Sequence, residues 1–345
     1  MQYWLKGDRM ENKKLFTVII PIHNGEDTIE RALASLISNK EYIYEVIIVD
    51  DRSSDNFKEK VEIFKNFFQI KIIPNAGEPG PGPARETGLL ASRSEWITFL
   101  DADDEITASL LLYTYMAIQQ DPNLVLIHYM TMFLEDGSFS AKDIQHFNNS
   151  CGGNFYRRTF LIYNNLHFHK TLYTAEDEYF NAKVSLFYEN CIEDKTQFTV
   201  GTIDYVGYIV HHDNSERTSV TGKDWFGYVI DNHLFFREYI VKDMYDIIPL
   251  EKLEEFFFSG YMMAYFLFNI YKENENYDRD KGEELLREGL NFYCENFHKT
   301  KEDIIQYYNE HQLIVSQAKM SALSSIRESN LPTWVIDFDV FIKML

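Results

Sequence analysis

The sequence predicts an α/β protein built on a largely parallel sheet, followed by a helical region. Two observations carry that expectation. Between Phe16 and Tyr129 short β-branched runs alternate with helical patterns, as βαβ units require. Beyond Trp225 the strand pattern stops and long helical stretches take over, with Leu286, Leu290, Tyr293 and Phe297 spaced along one helix face. The expected organisation is an extension over 1–14, an α/β domain over 15–224 and a helical region over 225–345.

Phe16 to Ile20 is an apolar strand, expected to stop at Pro21. Asp27-Thr28-Ile29-Glu30 has the spacing of a capping box that opens a helix through Ile37. Val46 to Val49 is a second strand ending on Asp50-Asp51, and Ser53-Ser54-Asp55 can cap a helix carrying Val61, Phe64 and Phe68. Ile70 to Ile73 is a third strand, closed by Pro74. Asn75 to Pro83 is crowded with glycine and proline and reads as a loop, with a helix from about Ala84 to Ser92. Trp96 to Leu100 is a fourth strand. It delivers Asp101-Ala102-Asp103-Asp104 at its carboxyl end, where open α/β sheets place ligand chemistry.

The bulk composition narrows the function. Apolar residues make up 45% of the 345 and aromatics 16%, enough for a substantial core. A formal charge of -21 argues against a nucleic-acid partner, because phosphate binding needs a basic surface. Cys151, Cys191 and Cys294 are odd in number and lack metal-type spacing, which suits a reducing, cytoplasmic setting. Met1 to Lys14 has no signal-type apolar core, and Phe256 to Tyr271 is too short and too interrupted to span a bilayer. A buried or interfacial helix is expected there.

The cluster Asp101, Asp103, Asp104 is the chemically suggestive feature. Adjacent carboxylates at the end of a buried strand repel unless a cation or hydrogen bonds neutralise them. Mg²⁺ or Mn²⁺ binds such groups through one or two carboxylates, with phosphate and water completing the shell. A capping turn before a helix near Thr107 is the plain alternative.

Four segments together resemble glycosyltransferase family 2 with the GT-A fold. They are Val18 to Gly25, Ile47 to Asp55, Gly82 to Gly88, and Trp96 to Asp104, in the family's order. Ala175-Glu176-Asp177 and His211 to Ser215 add matches to its acidic pair and late histidine segment. The resemblance runs from about Phe16 to Ser219 and departs at Glu86, where the family has asparagine, and at Glu216-Arg217. It implies a nucleotide-diphospho-sugar transferase domain of Rossmann-like build. Pro21, His23, Asn24 and Asp51 would frame the nucleotide, with Asp51 accepting from a uracil imide N–H or, alternatively, capping a helix. Arg85 would pair with Asp101 or a phosphate, or else form a surface salt bridge. Asp101 and Ala102 would face the ribose or sugar, and Asp103 would ligate the metal together with His212, or His211 if the register shifts by one.

Asp177, or Glu176 in its place, would be the general base that deprotonates the acceptor hydroxyl; a solvated acidic helix start is the alternative. Cys151 to Arg158 resembles the acceptor-side segment, its glycines allowing close approach to a ligand. His167 and His169 are expected to be structural. The implied activity is inverting transfer of a hexose-type sugar from a UDP-sugar to a glycan, lipid-linked or glycoprotein acceptor, in surface glycan biosynthesis. No QxxRW segment is present, which points to single-sugar addition. A nucleotidyltransferase would need a glycine- and basic-rich loop that Pro21 to Thr28 lacks, and a non-catalytic nucleotide-sugar-binding scaffold is the other competitor. The helical region could dimerise, rest on the inner face of a membrane or shape the acceptor site.

Overall fold

Strands rich in Val and Ile that are covered on both faces pair in parallel, and that is how the first half of the chain folds. A computed structural model of the chain describes residues 14–134, 144–145, 150–172, 175–211, 225–272, 278–325 and 337–344. They form two compact units, one of residues 1–184 and 192–214, the other of 185–191 and 215–345.

The first unit contains β1 (Phe16–Ile22), α1 (Ile29–Ser35), β2 (Ile43–Asp50), α2 (Phe57–Val61), β3 (Ile70–Pro74), α3 (Pro81–Ala91), β4 (Trp96–Phe99), β5 (Glu105–Ile106), α4 (Leu110–Gln120), β6 (Leu124–Leu134), β7 (Ile144–Gln145), β8 (Phe155–Arg157), α5 (Arg158–Tyr163), the start of α6 (Glu176–Cys191) and β9 (Thr199–His211). The sheet order is β3-β2-β1-β4-β8-β6-β9-β5, with β7 paired to β6. β3, β2, β1 and β4 run parallel, β8 lies antiparallel between β4 and β6, and β9 runs parallel to β6. The fold is an α/β sheet with a parallel half, and every residue of β1 is buried.

Several boundaries differ from expectation, each for a local reason. β1 runs through Pro21 to Ile22. Ile19 directs its carbonyl toward β4, where it accepts from Leu100, so Pro21, two residues on, turns its nitrogen to the same side. β4 has ended there at Phe99, and the missing N–H costs no ladder bond. The expected capping box of Asp27 with Glu30 does not form: Thr28 takes the cap position without a side-chain cap bond, and its hydroxyl reaches back to the Gly25 carbonyl (3.4 Å), which also takes the Thr28 and Ile29 N–H groups. Asp55 spends one oxygen on the Glu26 N–H (2.7 Å), and Asn56 takes the cap position of α2. α3 starts at Pro81, inside the expected loop, because proline at the first helical position loses nothing. β5 separates the aspartates from α4, which begins only at Leu110. The cluster is therefore not a helix cap.

Gly88 lets α3 lie directly on the sheet, since a Cβ there would stand 2.3 Å from Ile19 Cγ2. Such close packing fixes where α3 aims its side chains. The carboxyl ends of β1, β2 and β4 open on one edge, the crevice in which α/β sheets bind ligands.

The second unit contains the end of α6, then α7 (Trp225–Met244), α8 (Leu250–Tyr271), α9 (Arg279–Phe297), α10 (Lys301–Glu310), α11 (Gln312–Ser325) and α12 (Phe338–Met344). α8 is the greasy segment, and Phe257, Tyr261, Met262 and Leu267 on it are fully buried. Leu286, Leu290, Tyr293 and Phe297 face this core from α9, and Tyr293 donates to the buried Glu254 (2.8 Å). Among the described residues no helix is long and apolar enough to cross a membrane.

Candidate active site

The loops after β1 and β2 are stitched by side chains rather than by ladder bonds. Asn24 adopts a left-handed backbone (φ 51°), which asparagine tolerates. Its Oδ1 accepts from the Ser54 N–H (2.8 Å), so its Nδ2 donates to His23 Nε2 (3.1 Å). That leaves His23 Nδ1 to donate to the Asp51 carbonyl (2.7 Å) and selects the Nδ1–H tautomer. His23 and Asn24 are exposed, whereas Pro21 is buried under them. The Asp51 carboxylate is held by Asn75 Nδ2 (2.8 Å), Arg52 (2.6 Å) and the Gly80 N–H just before α3 (2.6 Å). A carboxylate offers about four acceptor sites, so roughly one remains for a ligand. Asp51 thus ties the β2 loop to the start of α3.

Arg85 projects from α3 and is 5% exposed, which overturns its reading as a surface salt bridge. One guanidinium nitrogen donates to Asp101 Oδ1 (2.7 Å) and the other to Glu176 Oε1 (2.6 Å). It therefore joins the end of β4 to the start of α6, although 75 residues separate those two carboxylates (176 − 101). Gly82 makes room for this junction, as a Cβ there would lie 2.9 Å from Glu176 Cγ. Asp177 follows half-buried, its Oδ1 accepting from the Glu178 N–H (2.9 Å).

The electrostatics follow from one cation facing three carboxylates. Burial works against the Arg85 charge, but Asp101 and then Glu176 outweigh it and hold the guanidinium well above its ordinary range. Burial, then Asp177, pushes the Glu176 carboxyl up to about 7 despite Arg85. Burial also raises Asp177 against the pull of Arg85 and the Glu178 N–H, with Asp101 adding to the rise. Such displaced carboxyls in a crevice mark a candidate catalytic site.

In the turn after β4, Asp101 accepts from Arg85 on its side chain and donates its N–H to Tyr208 Oη (3.1 Å). Ala102 packs beside Gly25, and Asp103 offers its carbonyl to Arg31. Asp104 is buried and accepts the His211 N–H (3.0 Å). His211 Nε2 bonds Glu105 Oε1 (2.7 Å), so in the one-residue register alternative the ring would offer a metal its Nδ1. His212 lies outside the described residues.

Other expectations resolve locally. Gly152 and Gly153 make room for Tyr208, whose Cζ and Cβ stand 2.5 and 2.7 Å from the Cβ that each lacks. Arg157 stacks over Trp96 (5.3 Å) and Arg158 donates to Ser92 (3.1 Å). Glu86 turns away from the donor loop to His167 (2.7 Å) and the Phe168 N–H (3.0 Å), and His169 accepts the Leu172 N–H (3.2 Å). Cys151, Cys191 and Cys294 are unpaired.

Comparison with known proteins bears on this arrangement. The family model for glycosyl transferase family 2 matches residues 17–174, which carry Pro21, His23, Asp51, Arg85 and the aspartate turn. A protein of Bacillus subtilis, the minor teichoic acid biosynthesis protein GgaA, is 27% identical over 92% of this chain and 75% of its own length. Residues 17–174 are a glycosyltransferase family 2 domain.

Within the family, the poly(ribitol-phosphate) β-N-acetylglucosaminyltransferase TarS of Staphylococcus aureus is 30% identical over 50% of this chain, which spans 32% of that protein. A solved TarS fragment, residues 1–349 in complex with UDP-GlcNAc, superposes with a TM-score of 0.63 over 91% of both chains at 17% identity, a likeness of fold. Family membership sets aside the nucleotidyltransferase alternative. The family match ends before Glu176, Asp177 and His211, so the place of those residues rests on the geometry above. Sequence reasoning missed Tyr208, Asn75 and the Gly80 N–H. Asn75 stood in a loop known only for its prolines, and nothing near Tyr208 marks it as a partner of Asp101.

Proposed function

We propose that this enzyme transfers a hexose-type sugar from a UDP-sugar to an acceptor hydroxyl with inversion, assisted by Mn²⁺ or Mg²⁺, in building a cell-surface glycan. The observation that carries the reading is the Arg85 bridge, because it brings a donor-side aspartate and the start of α6 to one place. The teichoic acid role of GgaA and the UDP-GlcNAc held by the TarS fragment support the donor and the product class.

Asp177 is the base in this reading. A sugar hydroxyl is a weak nucleophile, and a carboxylate of raised proton affinity is suited to accept its proton during attack. Attack by that hydroxyl directly on the anomeric carbon, opposite the diphosphate, inverts the centre. Glu176, paired to Arg85, holds the guanidinium rather than the acceptor proton. Pro21, His23, Asn24 and Asp51 would receive the base and ribose, and Asp101 with Ala102 would border the sugar.

Carboxylate and phosphate oxygens are the hard donors a divalent ion takes. Among the described residues no three His, Cys, Asp or Glu side chains form a cage, so an ion would take Asp103, with Asp101 nearby, and complete its shell with phosphate and water. Bound there, it would neutralise the charge on the departing diphosphate.

The test is UDP release from a panel of UDP-sugars, with and without chelator. Release from one donor that stops on chelation is expected; no release or binding with any UDP-sugar in Mn²⁺ sinks the proposal. The pH profile is a second check. Because Asp177 works as the carboxylate and its proton affinity is raised, the acid limb of kcat/KM should lie above the usual carboxylate range. Glu176→Gln removes the carboxyl that titrates at about 7 and keeps an acceptor oxygen for Arg85, so the acid limb set by Asp177 should persist. Loss of that limb in the Glu176 variant contradicts the assignment.

A further inference from the structure

Asp101 has a backbone problem that a distant residue solves. β4 ends at Phe99, and the Leu100 N–H turns back to the Ile19 carbonyl (3.0 Å), so the Asp101 N–H points to the β8 side. The β4–β8 ladder there stops at Thr98 with Phe155, and the bridge that follows it pairs Phe99 with Gly152, short of Asp101. A buried N–H without an acceptor is costly. The acceptor supplied is Tyr208 Oη (3.1 Å), from β9, three places along the sheet from β4.

The ring is held as firmly as the bond requires. Tyr208 is 0% exposed, and a Cβ on Gly152 would stand 2.5 Å from its Cζ. Burial first, then Asp104 and Asp101, keep the phenol protonated. Its oxygen accepts from Asp101, and among the described residues nothing takes its proton, which is left beside the aspartate turn.

We propose that Tyr208 is a positioning residue for the donor site: its hydroxyl fixes the Asp101 backbone and so sets the angle at which Asp101 faces the donor sugar and Asp103 faces a divalent ion. This rests on the functional reading above.

Tyr208→Phe keeps the ring and removes the hydroxyl. Tyr129→Phe is the control, since it deletes another buried hydroxyl of the same sheet, bonded to Thr114 (2.9 Å) and remote in role from the aspartates. UDP affinity is measured by calorimetry with Mn²⁺, alongside thermal midpoints and the KM for donor and acceptor. Tyr208→Phe is expected to weaken UDP binding about tenfold, the size of one buried hydrogen bond, and to raise donor KM without changing acceptor KM. Tyr129→Phe should lower the midpoint comparably and leave affinity alone. Gly152→Ala, which crowds the ring but keeps the hydroxyl, should weaken UDP binding in the same direction, and it carries the test if Tyr208→Phe does not fold. Unchanged UDP affinity in the Tyr208 and Gly152 variants, or equal losses in the Tyr208 and Tyr129 variants, overturns the inference while the functional reading stands. An unmodified enzyme that binds no UDP with Mn²⁺ overturns both.

Discussion

Asp177→Asn is expected to cut kcat by about 10²- to 10⁴-fold, the usual contribution of a positioned base, while UDP affinity stays as it was. Asparagine keeps the shape of the side chain and can still accept the Glu178 N–H through its Oδ1 (2.9 Å in the parent), so the start of α6 should not move. What it loses is the capacity to hold a proton. Steady-state UDP release and calorimetric UDP binding read the two effects separately. A scaffold that only binds nucleotide sugar would show unaltered behaviour in both, and a variant retaining full turnover removes Asp177 from the reaction.

Arg85→Met is expected to destabilise the enzyme by about 3–5 kcal/mol at neutral pH, the cost of leaving buried charges without their partner. Asp101 Oδ1 and Glu176 Oε1 would each lose a bond of 2.7 and 2.6 Å to a residue that is 5% exposed. The loss has a sign in pH. Glu176 already titrates at about 7, raised by burial and by Asp177, and removal of the cation raises it further. Protonation relieves the repulsion, so the variant should recover part of the deficit as pH falls below neutrality and be worst at mildly alkaline pH. Urea denaturation on both sides of neutrality measures this. An equal deficit at both pH values would mean that lost packing, not unpaired charge, is the cause.

The parallel half of the sheet was legible because each of its strands is a short apolar run ended by a turn or an acidic residue, and backbone propensity acts within a few residues. Val46 to Val49 and Trp96 to Phe99 needed no long-range knowledge. Boundaries were less legible where a side chain had two possible partners. Thr28 and Asp55 both carry cap chemistry, and the structure shows Thr28 donating to the Gly25 carbonyl while Asp55 divides its oxygens between the Glu26 N–H and the Phe57 N–H at the start of α2.

By itself the sequence determined the four strands of the parallel half, the family signature, the helical nature of the second unit and the identity of the acidic groups, since these depend on residue type at short spacing. Tertiary structure alone decided which carboxylate Arg85 holds, that His211 belongs to Glu105, and that Tyr208 supports Asp101. Those pairings join residues 91, 106 and 107 positions apart (176 − 85, 211 − 105, 208 − 101). No local propensity reaches that far; the twist and closure of the sheet set the distances, and distance decides which charges and hydrogen bonds meet.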